Sequence, residues 1–453
     1  MVQLPELVQS ILKQLHVDDV ALRKISTEIY KEFQLGLEYG KTATSSIAML
    51  PSYVPALPDG SETGQYIAID LSGKNLRIVL LNLTAHGEPE AHTHNFIVHD
   101  SVMTGTGEQL FNFIVNRLHQ FLKQQDLVEA NIPIGFVFSY PCELLSIRSA
   151  RLLWWTKGFD IQDCLQQDVV RLLEDALELN MAIKARVKAV MNDTVGQLAA
   201  AAYRYGEDCV VGVVIGYGCN SSYLEDVSRI KKFNASKSGY KHKQMVIVTE
   251  WEEFGTKGEL DGIMTEFDRT IDQASVHKGK QIIDKLTGAL YLGELVRIIA
   301  VQLTVDELLF GGIMPERLQI TDAFPAKYIS EILADDDSGT FKNCRRVLDE
   351  IEVRNHGHQD YVILKELCHA VSYRSASIAA AAIAALLDHL QRPTVKVGVG
   401  GALVQFHPTY MQMLREKLEV LAPENINWEL VPAEEGSARG AALIAAVADK
   451  LKL

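Results

Sequence analysis

The hydrophobic positions of this chain change period several times, and the changes mark its elements. Over roughly the first 60 residues, "LPELVQSILKQLHV" and "DVALRKISTEIYKEFQLGLEYG" repeat apolar residues at three and four, the period of amphipathic helices. "SSIAMLPSYVPALPDGSETG" then gathers proline, serine and glycine and reads as a connector. After it, "YIAIDLSGKNLRIVLLNL" predicts an apolar strand, a tight glycine-bearing turn and a second apolar strand. A third strand (HNFIVHD), a helix (GEQLFNFIVNRLHQFLKQQ) and the nearly continuous apolar strand "IPIGFVFSY" follow, which is the order of a mixed sheet with crossover helices. The second half opens the same way: "CVVGVVIGYGCNSSYLED" is again strand, glycine turn, strand, and the sheet continues through "MVIVTEW". Long helices are predicted over about 277–303 and 371–391, then the strand "TVKVGVGGAL" and a closing helix "GSARGAALIAAVADKLKL". The repeated opening device implies two α/β lobes with a cleft between them, the usual place for a ligand.

Length and charge narrow the function classes. At 453 residues and 47% hydrophobic, the chain can bury a large core. Its 44 Lys+Arg against 58 Asp+Glu give a formal charge of −14, which repels nucleic acid. No segment keeps ~18 apolar residues in a row and the N-terminal stretch lacks a basic flank, so neither a membrane span nor a signal peptide is expected, and the cytoplasm is the default location. Six scattered cysteines without CxxC spacing read as reduced thiols. The pairs His92/His94 and His356/His358 lack a third ligand nearby and read as exposed polar residues rather than a metal site.

Three glycine turns offer converging backbone NH groups to an anion: Asp70 to Arg77, Gly216 to Asn220, and Gly398 to Leu403. Glycine hairpins also arise for geometric reasons alone. An aspartate leading the first turn suits a hydrated magnesium ion, which takes only one or two carboxylates. A second constellation sets polar residues in apolar context: Ser139, Thr156, Lys157, Asn192, Asp193, Asn220, Glu250 and Asp284. That mix of amides, carboxylates and hydroxyls suits a polyhydroxylated ligand, because each buried hydroxyl left unpaired costs ~1–3 kcal/mol. Phosphoryl transfer to such a hydroxyl also wants one carboxylate to take its proton. Read alone, Asn192-Asp193 can equally be the cap of the helix "TVGQLAAAAYRY".

In "LLWWTKGF", "NDTVG", "TEWEEFG" and "GKQIIDKLTGALYLGELVR", four matches in order, the chain resembles hexokinases of the single-unit, roughly 50 kDa type, from about residue 20 to the C-terminus. The resemblance implies an α/β, two-lobed actin-like (ribonuclease H-like) ATPase fold with mixed sheets flanked by helices. It implies transfer of the γ-phosphoryl of Mg-ATP to the 6-hydroxyl of a hexose by a monomeric cytoplasmic enzyme, with hexose and ATP as its partners. Asp193 would be the base and Lys157 would lie near the reacting oxygen. Ser139, Thr156, Lys157, Asn192, Asp193, Asn220, Glu250, Gln281 and Asp284 would hold the sugar. Asp70, Ser72, Gly73, Lys74, Asn75, Arg77, Gly216, Tyr217, Lys327, Ser330, Gly401 and Ala402 would face the nucleotide, Asp70 also holding magnesium through water. The halves would be 1–203, leading helices plus small lobe, and 204–453, a large lobe whose final helix returns to the small one. Contact of the first helices with a mitochondrial surface would use apolar residues such as Leu4, Leu7 and Ile11, which packing explains as well.

The departures from the family pattern fall on the phosphate side. DLGGTNFR is here Asp70-Leu71-Ser72-Gly73-Lys74-Asn75-Leu76-Arg77; Tyr217 and Cys219 replace hydroxyl residues of the second turn; Gly400-Gly401-Ala402 stands for DGS or DGT; Ala326 takes a threonine position; and "SGKGAAL" is Ser437-Ala438-Arg439-Gly440 onward. Losing one preorganised donor typically costs ~2.7–4 kcal/mol in the transition state. Lys74 can compensate with a cation on the phosphates or stand as a solvated lysine. On the sugar side Asp284 replaces glutamate, and Glu252-Glu253 replace Gly-Ala beside Glu250. Three readings follow: a hexokinase, a catalytically weak sugar-binding regulator, and an actin- or chaperone-like ATPase, the last disfavoured by "WWTKGF" and "NDTVG".

Overall fold

Two strand–turn–strand units organise the chain, each followed by crossovers that add parallel strands to its free edge. The computed structural model describes residues 4–40, 42, 44–180, 183–336, 339–433 and 436–453. In chain order the strands are β1 (Leu50–Pro51), β2 (Gly64–Ser72), β3 (Asn75–Leu83), β4 (Glu90–Ile97), β5 (Ile132–Phe138), β6 (Cys142–Ser146), β7 (Ser149–Leu152), β8 (Ala185–Met191), β9 (Cys209–Ile215), β10 (Cys219–Asp226), β11 (Gln244–Val248), β12 (Thr394–Gly400) and β13 (Asn427–Pro432). The first sheet runs β4-β3-β2-β5-β8 and the second β1-β11-β10-β9-β12-β13, with β6-β7 a separate hairpin. In each large sheet the first three strands of its half form an antiparallel meander, and two later strands pair in parallel on the other side of the first. The same plan is thus built twice.

The helices that position the site are α1 (Glu6–Leu15), α2 (Asp19–Tyr39), α3 (Gly107–Gln124), α4 (Val169–Leu179), α5 (Asp193–Tyr205), α6 (Ile282–Thr287), α7 (Ala289–Val305), α8 (Ala326–Leu333), α9 (His358–Leu390) and α10 (Gly436–Lys450). Alternation along β2 divides its side chains. Ile67, Ile69 and Leu71 join the core made with α3 and α4. Tyr66 and Ala68 point to the opposite face, which α10 covers, and Asp70 continues that row. The final helix therefore lies on the first sheet, while α1 and α2 pack against α9 in the second half. Of the three apolar residues near the N-terminus, Ile11 is buried, Leu4 packs against the core and Leu7 is 42% exposed.

Two helix boundaries depart from the periodicity. The pattern over about 277–303 becomes α6 and α7, starting only at Ile282, because Gly279 (φ +68°) and Gln281 (φ +52°) are left-handed and cannot continue a helix. The helix expected from about 371 begins at His358, where Asp360 accepts from the backbone N–H of Gly357 at 2.7 Å and starts the helix early. This α9 is long and apolar enough to cross a membrane, yet 89% of its most apolar window is buried inside the fold.

Candidate active site

The start of α5 brings the sugar-side residues together. Asn192 is the N-cap of that helix: its Oδ1 accepts from the Thr194 N–H at 2.9 Å and the Thr194 hydroxyl at 2.8 Å, while Asp193 Oδ1 accepts the same N–H at 2.9 Å. Capping fixes both side chains at the positive end of the helix dipole. The Ser222 hydroxyl of β10 donates to the Thr194 carbonyl at 2.9 Å, which seats the second sheet beside this turn. Two residues earlier on β10, Asn220 is locked to Glu250. Its Nδ2 donates to Glu250 Oε1 at 3.0 Å, and its Oδ1 accepts from the N–H groups of Glu250 (3.1 Å) and Ser221 (2.7 Å) and from the Thr249 hydroxyl (3.2 Å). Glu250 is left-handed at φ +54°, a conformation held here by the bond from its N–H to Asn220 Oδ1.

Asp284 reaches the same edge from α6, accepting from the Cys219 N–H at 2.7 Å. Burial raises its carboxyl to about 7 against the Cys219 N–H bond, and Glu250 and Glu253 add to the rise. A side chain at Gly218 would place its Cβ 2.2 Å from Asp284 Oδ2, so the turn has glycine there because the carboxylate occupies that space. Gln281 precedes α6 in a left-handed conformation that aims the chain into the helix. From the first lobe, Lys157, also left-handed (φ +58°), donates to the Ser139 carbonyl at 2.7 Å and lies 5.6 Å from the Tyr140 ring centroid. The Ser139 hydroxyl is buried without a hydrogen-bond partner, and Thr156 is half-buried one position before Lys157.

Asp70 lies two residues before the end of β2 at 5% exposure, and its row on the sheet meets α10: the Ser437 hydroxyl donates to its Oδ2 at 2.8 Å, whereas its Oδ1 is buried with no partner. Burial raises this carboxyl to about 6, offset by Ser437 and by the charges of Arg77 and Lys157, and raised again by Asp193. Asp70 thus feels the charges of both Asp193 and Lys157. A buried carboxylate oxygen with no protein donor fits a hydrated divalent cation.

The three glycine turns differ in how open they are. The Ser72–Asn75 turn is open, with nothing within 4 Å of the space a side chain at Gly73 would fill. In the second turn Gly216 N–H donates to the Gly218 carbonyl at 2.8 Å and a built Cβ on Gly216 lies 3.8 Å from the Ala402 nitrogen, so the second and third turns abut. Gly401 (φ +104°) admits no side chain, since its Cβ would strike the Ile215 carbonyl at 2.4 Å. The Gly216 carbonyl in turn accepts from Ala289 N–H, which leads through α7 to α8 and its Lys327 and Ser330.

Comparison with known proteins bears on what this arrangement is. Two family models, both described as Hexokinase, match residues 7–203 and 210–447. A hexokinase of Brugia malayi is 39% identical over 450 residues, covering 99% of this chain and 78% of its own, and one of Schistosoma mansoni is 36% identical, covering 98% and 97%. A solved structure, hexokinase from Schistosoma mansoni complexed with glucose, superposes with a TM-score of 0.88 at 35% identity over 98% of both chains. The chain belongs to the hexokinase family. Its fold is accordingly the two-lobed, mixed α/β architecture that the family resemblance implies.

As a hexokinase the protein shows where its departures sit. Lys74 is ion-paired with Asp100 at 2.7 Å on the surface, a solvent-screened pair that a phosphate can displace. The Tyr217 ring is 78% exposed, so it projects outward rather than crowding the turn. Arg77 Nε donates to Asn95 Oδ1 at 3.1 Å, Asn75 is exposed, and Lys327 pairs with Glu350 at 3.3 Å over the Tyr328 ring. One contributor lay outside the predicted site residues. Ser437 stood in the sequence only within the stretch that replaces "SGKGAAL", with no sign that it meets Asp70; Glu434 and Glu435, which precede it, lie outside the described residues.

Proposed function

We propose that this hexokinase transfers the γ-phosphoryl group of Mg-ATP to the 6-hydroxyl of glucose or a related hexose, with Asp193 as the base. The observation that carries this is the convergence at the head of α5: Asn192-Asp193 capping the helix, Asn220 and Glu250 locked on the strand beside it, and Asp70 within reach of the charges of both Asp193 and Lys157. Asn192, Asn220, Glu250, Asp284, Ser139, Thr156 and Gln281 supply the amide, carboxylate and hydroxyl set that pairs sugar hydroxyls. With those paired, Asp193 accepts the 6-hydroxyl proton as the oxygen attacks phosphorus. Lys157, its ammonium held at the end of β5 by the Ser139 carbonyl, offsets negative charge near the attacking oxygen.

Asp70 is the residue suited to hold a hydrated magnesium ion, which when bound neutralises charge on the transferring phosphates. Ser72 to Asn75, Arg77, the Gly216–Tyr217 turn and Gly401-Ala402 offer NH groups and cations to the phosphates, and Lys327 and Ser330 lie toward the adenosine side. A cytoplasmic location is supported by six free thiols, five of them buried. The test is ATP-dependent formation of glucose 6-phosphate by the purified chain beside Asp193→Ala. Turnover by the parent and loss of at least about 100-fold in the variant is expected. Equal rates in the two would remove Asp193 from the base role, and glucose uptake without turnover in the parent would make the protein a binder.

A further inference from the structure

Adjacent antiparallel strands are ordinarily joined by about two to five residues, but β10 and β11 are joined by the whole of 227–243. In a chain of net charge −14, that segment carries Arg229, Lys231, Lys232, Lys237, Lys241 and Lys243 and no aspartate or glutamate. It is folded on an aromatic cluster. The Phe233 ring lies 5.5 Å from that of Tyr53 and 5.7 Å from that of Tyr240, which in turn lies 5.4 Å from His242. The Tyr240 hydroxyl donates to the Gln244 carbonyl at 2.6 Å, and Asn234 Oδ1 caps the helical turn Ala235–Ser238 by accepting from the Lys237 N–H at 3.0 Å.

Two of these cations are engaged inside the fold. Arg229 donates to the His389 carbonyl at 3.0 Å and pairs with Glu225 at 3.3 Å, and the Lys232 ammonium donates to the Ala48 carbonyl. Lys231, Lys237, Lys241 and Lys243 are exposed, and none of them meets a carboxylate among the described residues. The acids next to the segment along the chain are occupied. Glu225 Oε2 accepts from the Tyr223 hydroxyl at 2.9 Å and from His389 Nε2 at 2.6 Å, and Asp226 Oδ1 accepts from Gln244 Nε2 at 3.4 Å. Like charges on one ordered segment raise the local potential, which a bound anion lowers.

The kind of anion follows from what surrounds the lysines. Insertion into a bilayer uses exposed apolar side chains, and stacking of nucleic-acid bases uses exposed ring faces; here Phe233 and Tyr240 are turned onto each other and onto Tyr53. The exposed cations are all lysines, point charges without the planar fork by which arginine grips a phosphate at two points. A broad anionic surface would also face the rest of a chain of net charge −14, whereas a single extended run of carboxylates meets the loop alone. We propose that the segment joining β10 to β11 is a docking site for an acidic segment of another protein, whose aspartate and glutamate side chains pair with Lys231, Lys237, Lys241 and Lys243. Asn220 of the hexose site stands toward the opposite end of β10, about 20 Å away at about 3.4 Å per residue, so the occupied loop leaves the cleft open.

The test is the fluorescence anisotropy of a short labelled polyglutamate peptide titrated with the full-length chain. The parent is compared with a loop variant, Lys231→Glu, Lys237→Glu, Lys241→Glu and Lys243→Glu together, and with a scattered variant, Lys13→Glu, Lys24→Glu, Lys123→Glu and Lys342→Glu together, which makes the same change in net charge at exposed positions elsewhere. The parent is expected to bind, more weakly as salt rises from about 0.01 M to about 0.15 M and the screening length falls from about 30 to about 8 Å. The loop variant is expected to bind at least about tenfold more weakly, because exposed pairs each worth up to about fivefold become repulsions, and the scattered variant to lose far less. Where the loop variant lacks the parental thermal transition, glutamine at the same positions is read in its place, with the same direction expected. No binding by the parent at low salt, or equal losses in the two variants, overturns the proposal. Tighter binding of the parent to phosphatidylserine vesicles or to a single-stranded oligonucleotide than to the peptide overturns it as well, by giving the loop a membrane or a nucleic acid as its partner.

Discussion

Replacing Gly440 by alanine tests the helix crossing on which Asp70 and Asp193 both depend. An alanine Cβ there would lie 1.7 Å from the Gly196 carbonyl oxygen, against the 3.0 Å below which real contacts essentially never fall. The obstacle is backbone, so α10 and α5 must part by about 1.3 Å. The Ser437–Asp70 bond of 2.8 Å has little reserve before the 3.5 Å limit, and a retreat of that size along it breaks it. Overpacking costs about 1–3 kcal/mol, and a lost hydrogen bond to a charged group about 1.5–3 kcal/mol. A displacement of about 1 Å at a catalytic group costs on the order of 100-fold in rate. Urea unfolding and initial rates of glucose 6-phosphate formation read both effects, and Ser437→Ala separates them by removing the bond without the displacement. A Gly440→Ala protein that unfolds at the parental midpoint and turns over at the parental rate would refute the reasoning.

Two further outcomes follow from named contacts. Asp268, 2% exposed at its side chain, accepts both Arg374 guanidinium nitrogens at 2.6 and 2.8 Å and the Thr265 N–H and hydroxyl at 2.7 Å. Asp268→Asn leaves a buried arginine without its counter-charge and should cost about 3–5 kcal/mol in denaturant unfolding. Burial pushes this carboxyl up, but Arg374 and Thr265 outweigh it and hold it low. The stabilisation is therefore present above the unfolded pKa and lost as pH falls through the lower folded one. Tyr217→Thr, at a ring 78% exposed, should leave the melting temperature unchanged and lower KM for ATP several-fold by restoring a small hydroxyl facing the phosphates; a KM unchanged from the parent would show that Tyr217 already serves that role.

Much of the molecule is legible in the sequence because strand alternation and turn chemistry act over short range. Both strand–turn–strand units, the capping role of Asn192 and each of the motifs that meet at the head of α5 rest on residues within a few positions of one another, although the meeting itself does not. What escapes is set by distance along the chain. Ser437 meets Asp70 across 367 positions, and no local pattern announces that pairing. Lys74 finds Asp100 across two strands and the turn between them, a contact decided by the register of β3 on β4. The leading helices read correctly as helices, but their seat on α9 comes from tertiary burial.

The crossing at Gly196 and Gly440 also determines what kind of joint the molecule has. α5 is packed on the second sheet and α10 on the first, so at this crossing bare backbone of one layer rests on bare backbone of the other. Neither glycine puts a side chain between the two helices to absorb a displacement, so the spacing of the two sheets is gauged here by the thickness of the peptide backbone alone. Asp193 and Ser437 each stand three residues before their glycine, about one helical turn away, so that gauge also sets how far apart the heads of the two helices stand.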